Sequence, residues 1–89
     1  MNDAYRALAD PTRRRILELL AQRDRTAGEI AEHFPMAFSS ISHHLTVLKG
    51  ASLVGATREG QNIRYHLNTT VFQEVVRHMM KLFRGGRDA

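Results

Sequence analysis

Thr26–Gly50 reads TAGEIAEHFPMAFSSISHHLTVLKG, and it divides into two short helices. Thr26-Ala27-Gly28-Glu29 has the spacing of a capping box, in which the Thr hydroxyl and the Glu carboxylate each satisfy a free N–H of the first turn. Ile30, Ala31 and Phe34 carry a short helix that Pro35 must stop, because proline lacks a donor and clashes with the preceding turn. A second helical pattern starts near Ala37, with Ile41, Leu45 and Leu48 on one face and Gly50 near its end. Two short helices about three residues apart have the spacing of a helix-turn-helix.

The second of these helices has an unusual outer face. With Ile41 at the centre of the buried side and about 100° per residue, Leu45 and Leu48 fall beside it. Ser39, Ser42, His43 and Thr46 then point outward, with Ser40 and Val47 at the edge. Ordinary exposed helix surfaces favour Glu, Lys and Arg, since Ser and Thr are poorer helix formers. Short hydroxyls and an imidazole, with no acid among them, suit close approach to base edges and phosphates in a major groove. His44 lies at the edge of the buried face, where a structural hydrogen bond is expected rather than a DNA contact.

Upstream, Asp10-Pro11 pairs an N-cap with a first-turn proline. Ile16, Leu17, Leu19 and Leu20 give an apolar face to a helix from about Pro11 to Ala21. Ala4, Tyr5, Ala7 and Leu8 suggest a short helix before it, and Gln22 to Arg25 is a polar break. Arg13, Arg14 and Arg15 oppose the macrodipole of their helix at a cost of ~0.3–1 kcal/mol, which a phosphate contact could offset. Arg14 and Glu18 are also spaced as an i, i+4 pair, so a structural role is equally open.

Downstream the period changes from helix to strand. Ile63, Tyr65 and Leu67 alternate with Asn62, Arg64 and His66, and Leu53 to Arg58 is a weaker partner strand, with Glu59-Gly60 as the turn. Asn68-Thr69-Thr70 offers several caps, and Thr70 with Gln73 has capping-box spacing. A last helix is expected to run to about Arg84 and to stop at Gly85-Gly86. The expected fold is mainly α with a small β-hairpin (α+β), in the order α-α-α-α-β-β-α. It forms one domain over residues 1–89, with the helix-turn-helix at about 26–51, the hairpin at about 53–67 and the C-terminal helix at about 69–84.

Composition bounds the function. The chain has 89 residues, no cysteine and a formal net charge of +4, with a pI near 10.3. Disulfides and thiolate metal sites are excluded. No signal peptide or membrane-length apolar run is visible, which makes a cytoplasmic location the expectation. From His33 through Arg58 there is no Asp or Glu, whereas His33, His43, His44, Lys49 and Arg58 all lie in that window. Leaving carboxylates out avoids repelling phosphate and marks this window as the expected nucleic-acid face. Catalysis is not expected: Ser42 and His43 are adjacent on a helix, so their side chains diverge and cannot pair as nucleophile and base.

In the last helix Val71, Phe72, Val75, Val76, Met79, Met80, Leu82 and Phe83 fall within about half the circumference. A helix covering only its own domain typically needs a stripe of ~100°. The surplus predicts a partner subunit, and two-fold symmetry would set two reading helices about 34 Å apart. Glu74 and His78 sit at i, i+4 on the polar side, as a surface pair rather than a metal site. No metal or other cofactor is expected.

Ala9-Asp10-Pro11-Thr12-Arg13-Arg14-Arg15-Ile16-Leu17, Thr26-Ala27-Gly28-Glu29-Ile30-Ala31, Ser42-His43-His44-Leu45 and Leu48-Lys49 resemble the ArsR/SmtB family of winged-helix repressors. Arg58-Glu59-Gly60-Gln61, Tyr65-His66-Leu67-Asn68 and Thr69-Thr70-Val71-Phe72 resemble more narrowly its SdpR-type autorepressor branch. The resemblance implies a homodimer closed through its terminal helices, Tyr5 and Leu8 of the first joining the apolar stripe of the last. It also implies a palindromic double-stranded DNA operator, commonly the protein's own promoter. In the family the positions of Phe38, Ser39, Ser42 and His43 contact DNA, and the wing tip at Arg58, Gly60 and Gln61 lies along the minor groove or backbone. The SdpR branch points to release of repression by a protein partner. Four positions depart from the family pattern: Ala37-Phe38 stands where Ser followed by Arg or Gln usually opens the helix, and Gly50 and Ser52 replace the usual Glu and Gly. The alternative from another class is a winged helix repurposed as a protein-interaction module, with Phe38 as its apolar anchor.

Overall fold

The computed structural model describes the backbone of residues 2–88 and the side chains of residues 2–84. Its elements are α1 (Asn2–Leu8), α2 (Pro11–Gln22), β1 (Arg25–Thr26), α3 (Ala27–Ala31), α4 (Phe38–Gly50), β2 (Val54–Glu59), β3 (Asn62–Leu67) and α5 (Thr69–Asp88). The hairpin expected from the sequence is part of a three-stranded antiparallel sheet ordered β1-β3-β2. The polar break before Thr26 conceals the extra strand: Arg25 pairs with Tyr65 and Thr26 with Arg64. Two residues are too few to show a period of two, so this strand has no signature of its own.

The local signals set most boundaries. Asp10 caps α2, its Oδ2 accepting from the Arg13 backbone N–H at 3.0 Å. Thr26 and Glu29 form the reciprocal box, with Thr26 N–H donating to Glu29 Oε1 at 2.8 Å and Glu29 N–H to Thr26 Oγ1 at 3.2 Å. These bonds favour the ionised carboxylates, and the backbone donors are the main reason that Asp10 and Glu29 both titrate below their ordinary values. α3 is shorter than its apolar pattern; after Ala31 the chain tightens, His33 N–H bonding to Ile30 O and Phe34 N–H to Ala31 O. Pro35 then prevents any continuation.

Two expected caps move. Asn68 Oδ1 accepts from Val71 N–H at 3.4 Å, so α5 starts at Thr69 and no box forms between Thr70 and Gln73. At the other end the helical backbone passes through Gly85-Gly86 to Asp88, since glycine weakens a helix by about 1 kcal/mol without forbidding it. The hairpin loop is also one residue later than expected. Glu59 still pairs with Asn62, leaving Gly60 and Gln61 as a two-residue loop, with Gly60 at φ 61° as tight hairpins require.

The core gathers one contribution from nearly every element: Ala4 and Ala7 of α1, Ile16, Leu17 and Leu20 of α2, Ile30 of α3, Ile41, Leu45 and Leu48 of α4, Leu53 and Val54, and Val75 of α5. Arg25 is the one charged residue buried among the described residues. Its Nε donates to Leu19 O at 3.0 Å and its NH2 to Gln22 Oε1 at 2.8 Å, placing a cation at the negative end of α2. Ala4, Ala7, Ile41 and Leu45 hold α1 and α4 to one core, so the inner face of α4 is fixed and its outer face is left free.

The turn after α4 carries strain. Ser52 has φ 61° and follows a helix end where Ser52 N–H bonds to Lys49 O and Leu53 N–H to Leu48 O. A left-handed L-residue costs roughly 1–2 kcal/mol, and a new glycine adds about 0.5–1 kcal/mol of unfolded-state entropy. Ser52→Gly should therefore stabilise the protein by about 0.5–1 kcal/mol, raising Tm by a few degrees in thermal unfolding. An unchanged or lower Tm would contradict this account of the turn.

Candidate nucleic-acid interface

α4 presents the face that its sequence describes. Ile41, Leu45 and Leu48 are fully buried, while Phe38, Ser39, Ser40, His43 and Thr46 are exposed and Ser42 is half-buried. Thr46 Oγ1 donates to Ser42 O at 3.0 Å, which commits its proton inside the helix and leaves its oxygen only as an acceptor. The helix begins without a side-chain cap, Ala37 supplying none. Ser40 N–H bonds back to Ala37 O at 3.0 Å, which leaves the N–H groups of Phe38 and Ser39 without a capping side chain.

The hairpin comes close to that end of α4. Phe38 and Ser42 of α4, Thr26, Ala27 and Gly28 at the start of α3, and Gln61, Asn62, Ile63 and Tyr65 of the wing line one open cleft of about 390 Å³. The structure thus brings Phe38, Ser42 and Gln61 together, with Ser39, Ser40, His43 and Thr46 on the adjoining surface. Arg58 stands at the hairpin end, exposed, with its Nε 3.4 Å from Gly60 O. The carboxylates nearest this surface are engaged: Glu59 pairs with Arg64 at 3.0 Å, and Glu29 with Arg23 at 3.3 Å and Arg64 at 3.8 Å.

Ile63 did not stand out in the sequence, because alternation placed it with Tyr65 and Leu67 on the inward face. It is 44 % exposed: its half of the hairpin projects past the core, so inward in register means facing the cleft. Tyr65, on the same face, joins the lining while also packing against the core, and Asn62 joins it from the end of the strand.

The arginine cluster resolves into structural parts. Arg13 Nε donates to Ala7 O at 2.8 Å, NH2 to Arg6 O at 3.1 Å, and NH1 lies 3.2 Å from His44 Nδ1. A guanidinium only donates, so Nδ1 is the acceptor of that contact. His44 Nδ1 also lies 3.9 Å from Asp10 Oδ2. Arg14 NH1 donates to Leu8 O at 2.8 Å. Arg15, not Arg14, pairs with Glu18 at 3.1 Å. Arg13 and Arg14 together clasp the last carbonyls of α1, and Arg13 extends that clasp to α4.

The apolar stripe of α5 is divided by position along the helix. Val75 is fully buried and belongs to the chain's own core, which corrects its assignment to a partner surface. Val71 and Phe72, with Tyr5 and Leu8 of α1, are half-buried and pack against that core. Beyond them Val76, Met79, Met80, Leu82 and Phe83 are exposed, Leu82 by 68 % and Phe83 by 70 %. The radius of gyration is 14.3 Å against about 12 Å for a compact chain of this length, because the far half of α5 runs past the core.

A family model described as "Bacterial regulatory protein, arsR family" matches residues 10–55. The chain is 50% identical over 86 residues to the transcriptional repressor SdpR of Bacillus subtilis, covering 97% of this chain and 96% of that protein. An ArsR-like transcriptional regulator from Rhodococcus sp. superposes with a TM-score of 0.88 at 26% identity, covering 98% of this chain and 80% of the other. The homodimeric winged helix-turn-helix DNA-binding domain of a Mycobacterium bovis protein, solved by NMR, superposes with a TM-score of 0.76 at 29% identity, covering 99% and 82%. The match spans both helices of the helix-turn-helix and the likeness to solved structures adds the wing and terminal helices, so the chain belongs to the ArsR family of bacterial regulatory proteins.

Proposed function

We propose that this protein is a transcriptional repressor that binds a palindromic operator as a homodimer and acts at its own promoter. The observation that carries the reading is the outer face of α4: short hydroxyls and an imidazole, free of acid from His33 through Arg58, adjoining a cleft in which Phe38 and Ser42 meet the wing. Ser39, Ser40, Ser42, His43 and Thr46 are the base-reading and phosphate-facing groups, and Arg58 and Gln61 the wing contacts. The similarity to a repressor along nearly the whole length and to a homodimeric DNA-binding domain supports it.

The dimer supplies what one short helix cannot. Val76, Met79, Met80, Leu82 and Phe83 close the seam, with Phe72 and Leu8 at its edge around a second hollow of about 290 Å³. Two-fold symmetry then offers two copies of α4 to successive major grooves. No helix among the described residues is long and apolar enough to cross a membrane, so a cytoplasmic site of action is consistent with the chain. Relief of repression by a protein partner completes the reading, with that partner drawing the dimer off its operator.

Quantitative binding to duplex from the protein's own promoter, beside a scrambled duplex of the same composition, tests the proposal. One palindrome should be preferred by about a thousandfold or more. Equal affinity for both duplexes would overturn it.

A further inference from the structure

Phe38 is the residue of the α4 surface that hydrogen bonding leaves without a role. Its ring is 55 % exposed at the first position of the helix, between the exposed Ala37 and Ser39. It faces the same cleft as Ile63 of the wing, itself 44 % exposed. An aromatic ring cannot donate to a phosphate or to a base edge. The first residues of a recognition helix are nonetheless those that meet base edges in the major groove.

Among the four base pairs, the major-groove edge offers one apolar group, the C5-methyl of thymine. Cytosine has only hydrogen at the same position. We infer that Phe38 is a specificity-determining residue that packs on the methyl group of one thymine in each operator half-site, selecting T·A over C·G there. The inference rests on the DNA-binding reading above. The start of α4 favours it, since Ala37 sets no capping side chain beside the exposed ring. Ser39 and Ser42 flank the ring and read the polar edges beside the methyl, while Ile63 lines the side of the cleft away from α4.

The test removes the methyl and nothing else. A duplex selected by the wild-type protein from a randomised pool is rebuilt with each thymine in turn replaced by deoxyuridine, which keeps every base-pairing and groove hydrogen bond. One symmetric pair of positions should weaken wild-type binding by about fourfold per half-site, about fifteenfold when both are replaced, as expected for uncovering one methyl at each. Phe38→Ala, at an exposed position where alanine favours the helix, should fold normally and bind the thymine and deoxyuridine duplexes equally. Phe38→Leu should keep part of the discrimination. Wild-type binding indifferent to every thymine methyl, or methyl sensitivity that persists in Phe38→Ala, would overturn the assignment while leaving DNA binding intact. Failure to select any duplex would overturn the DNA-binding reading and this inference with it.

Discussion

Replacing Phe83 with glutamate should turn a dimer into a folded monomer. The side chain is 70 % exposed and lines an apolar hollow with Val76, Met79 and Met80. It contributes little to its own chain, so helical content and the unfolding of the core should survive. Burying a Phe is worth about 1.5–3 kcal/mol, and two-fold symmetry counts it twice, so the dimer loses about 3–6 kcal/mol before any cost of burying the new charges. The dimer dissociation constant should therefore rise by about a hundredfold to ten-thousandfold. Sedimentation at micromolar concentration would show this directly. Operator affinity should fall with it, since two linked half-sites become two separate binding events. A dimer that persists unchanged would place the seam elsewhere than the far half of α5.

Arg13→Ala should destabilise the fold strongly although the residue is only half-buried. Arg13 supports two carbonyls at the end of α1 and the ring of His44 on α4. Ala7 is fully buried beneath Arg13, so its carbonyl loses a charged donor at a largely covered position. Leaving a buried acceptor unsatisfied costs about 1–3 kcal/mol, and hydrogen bonds to charged groups lie toward the upper end. We expect a loss of about 2–3 kcal/mol, a fall in Tm of about 8–20 °C. Arg13→Lys should not restore it, because one ammonium cannot span three acceptors that a planar fork reaches at once. If Arg13→Ala instead left stability unchanged and weakened DNA binding, the guanidinium would be a phosphate contact and the clasp incidental.

How much of this was legible in the sequence follows from the range of each signal. Asp10-Pro11 and the Thr26/Glu29 box act within one helical turn, and both stand where their spacing puts them. The inner face of α4 was legible because Ile41, Leu45 and Leu48 repeat with the helix. Arg13 and Arg25 were not, because each spreads its bonds over main-chain oxygens and one uncharged side chain, which no charge pattern announces. Arg15 took the acid that spacing offered equally to Arg14, because Arg14 is held at Leu8 O. In α5 the period identified every apolar side chain but not what covers each one. Val75 and Val76 are neighbours in the chain, yet one is fully buried and the other 38 % exposed. Ile63 failed in the reverse sense: its strand register was right, and the core it was expected to face ends before it.

The acid-free face of α4 is the centre of the account, and a salt titration of DNA affinity tests it most directly. Affinity for the own-promoter duplex and for a scrambled duplex would be measured across a range of salt concentrations. A face that neutralises phosphates releases counterions, so both logarithmic plots should fall linearly, by about 0.9 per phosphate contacted. The promoter duplex should stay tighter throughout, by a margin that salt changes little, because base contacts on α4 set that margin. Affinity that ignores salt, or a promoter preference that vanishes once salt suppresses the scrambled duplex, would contradict it.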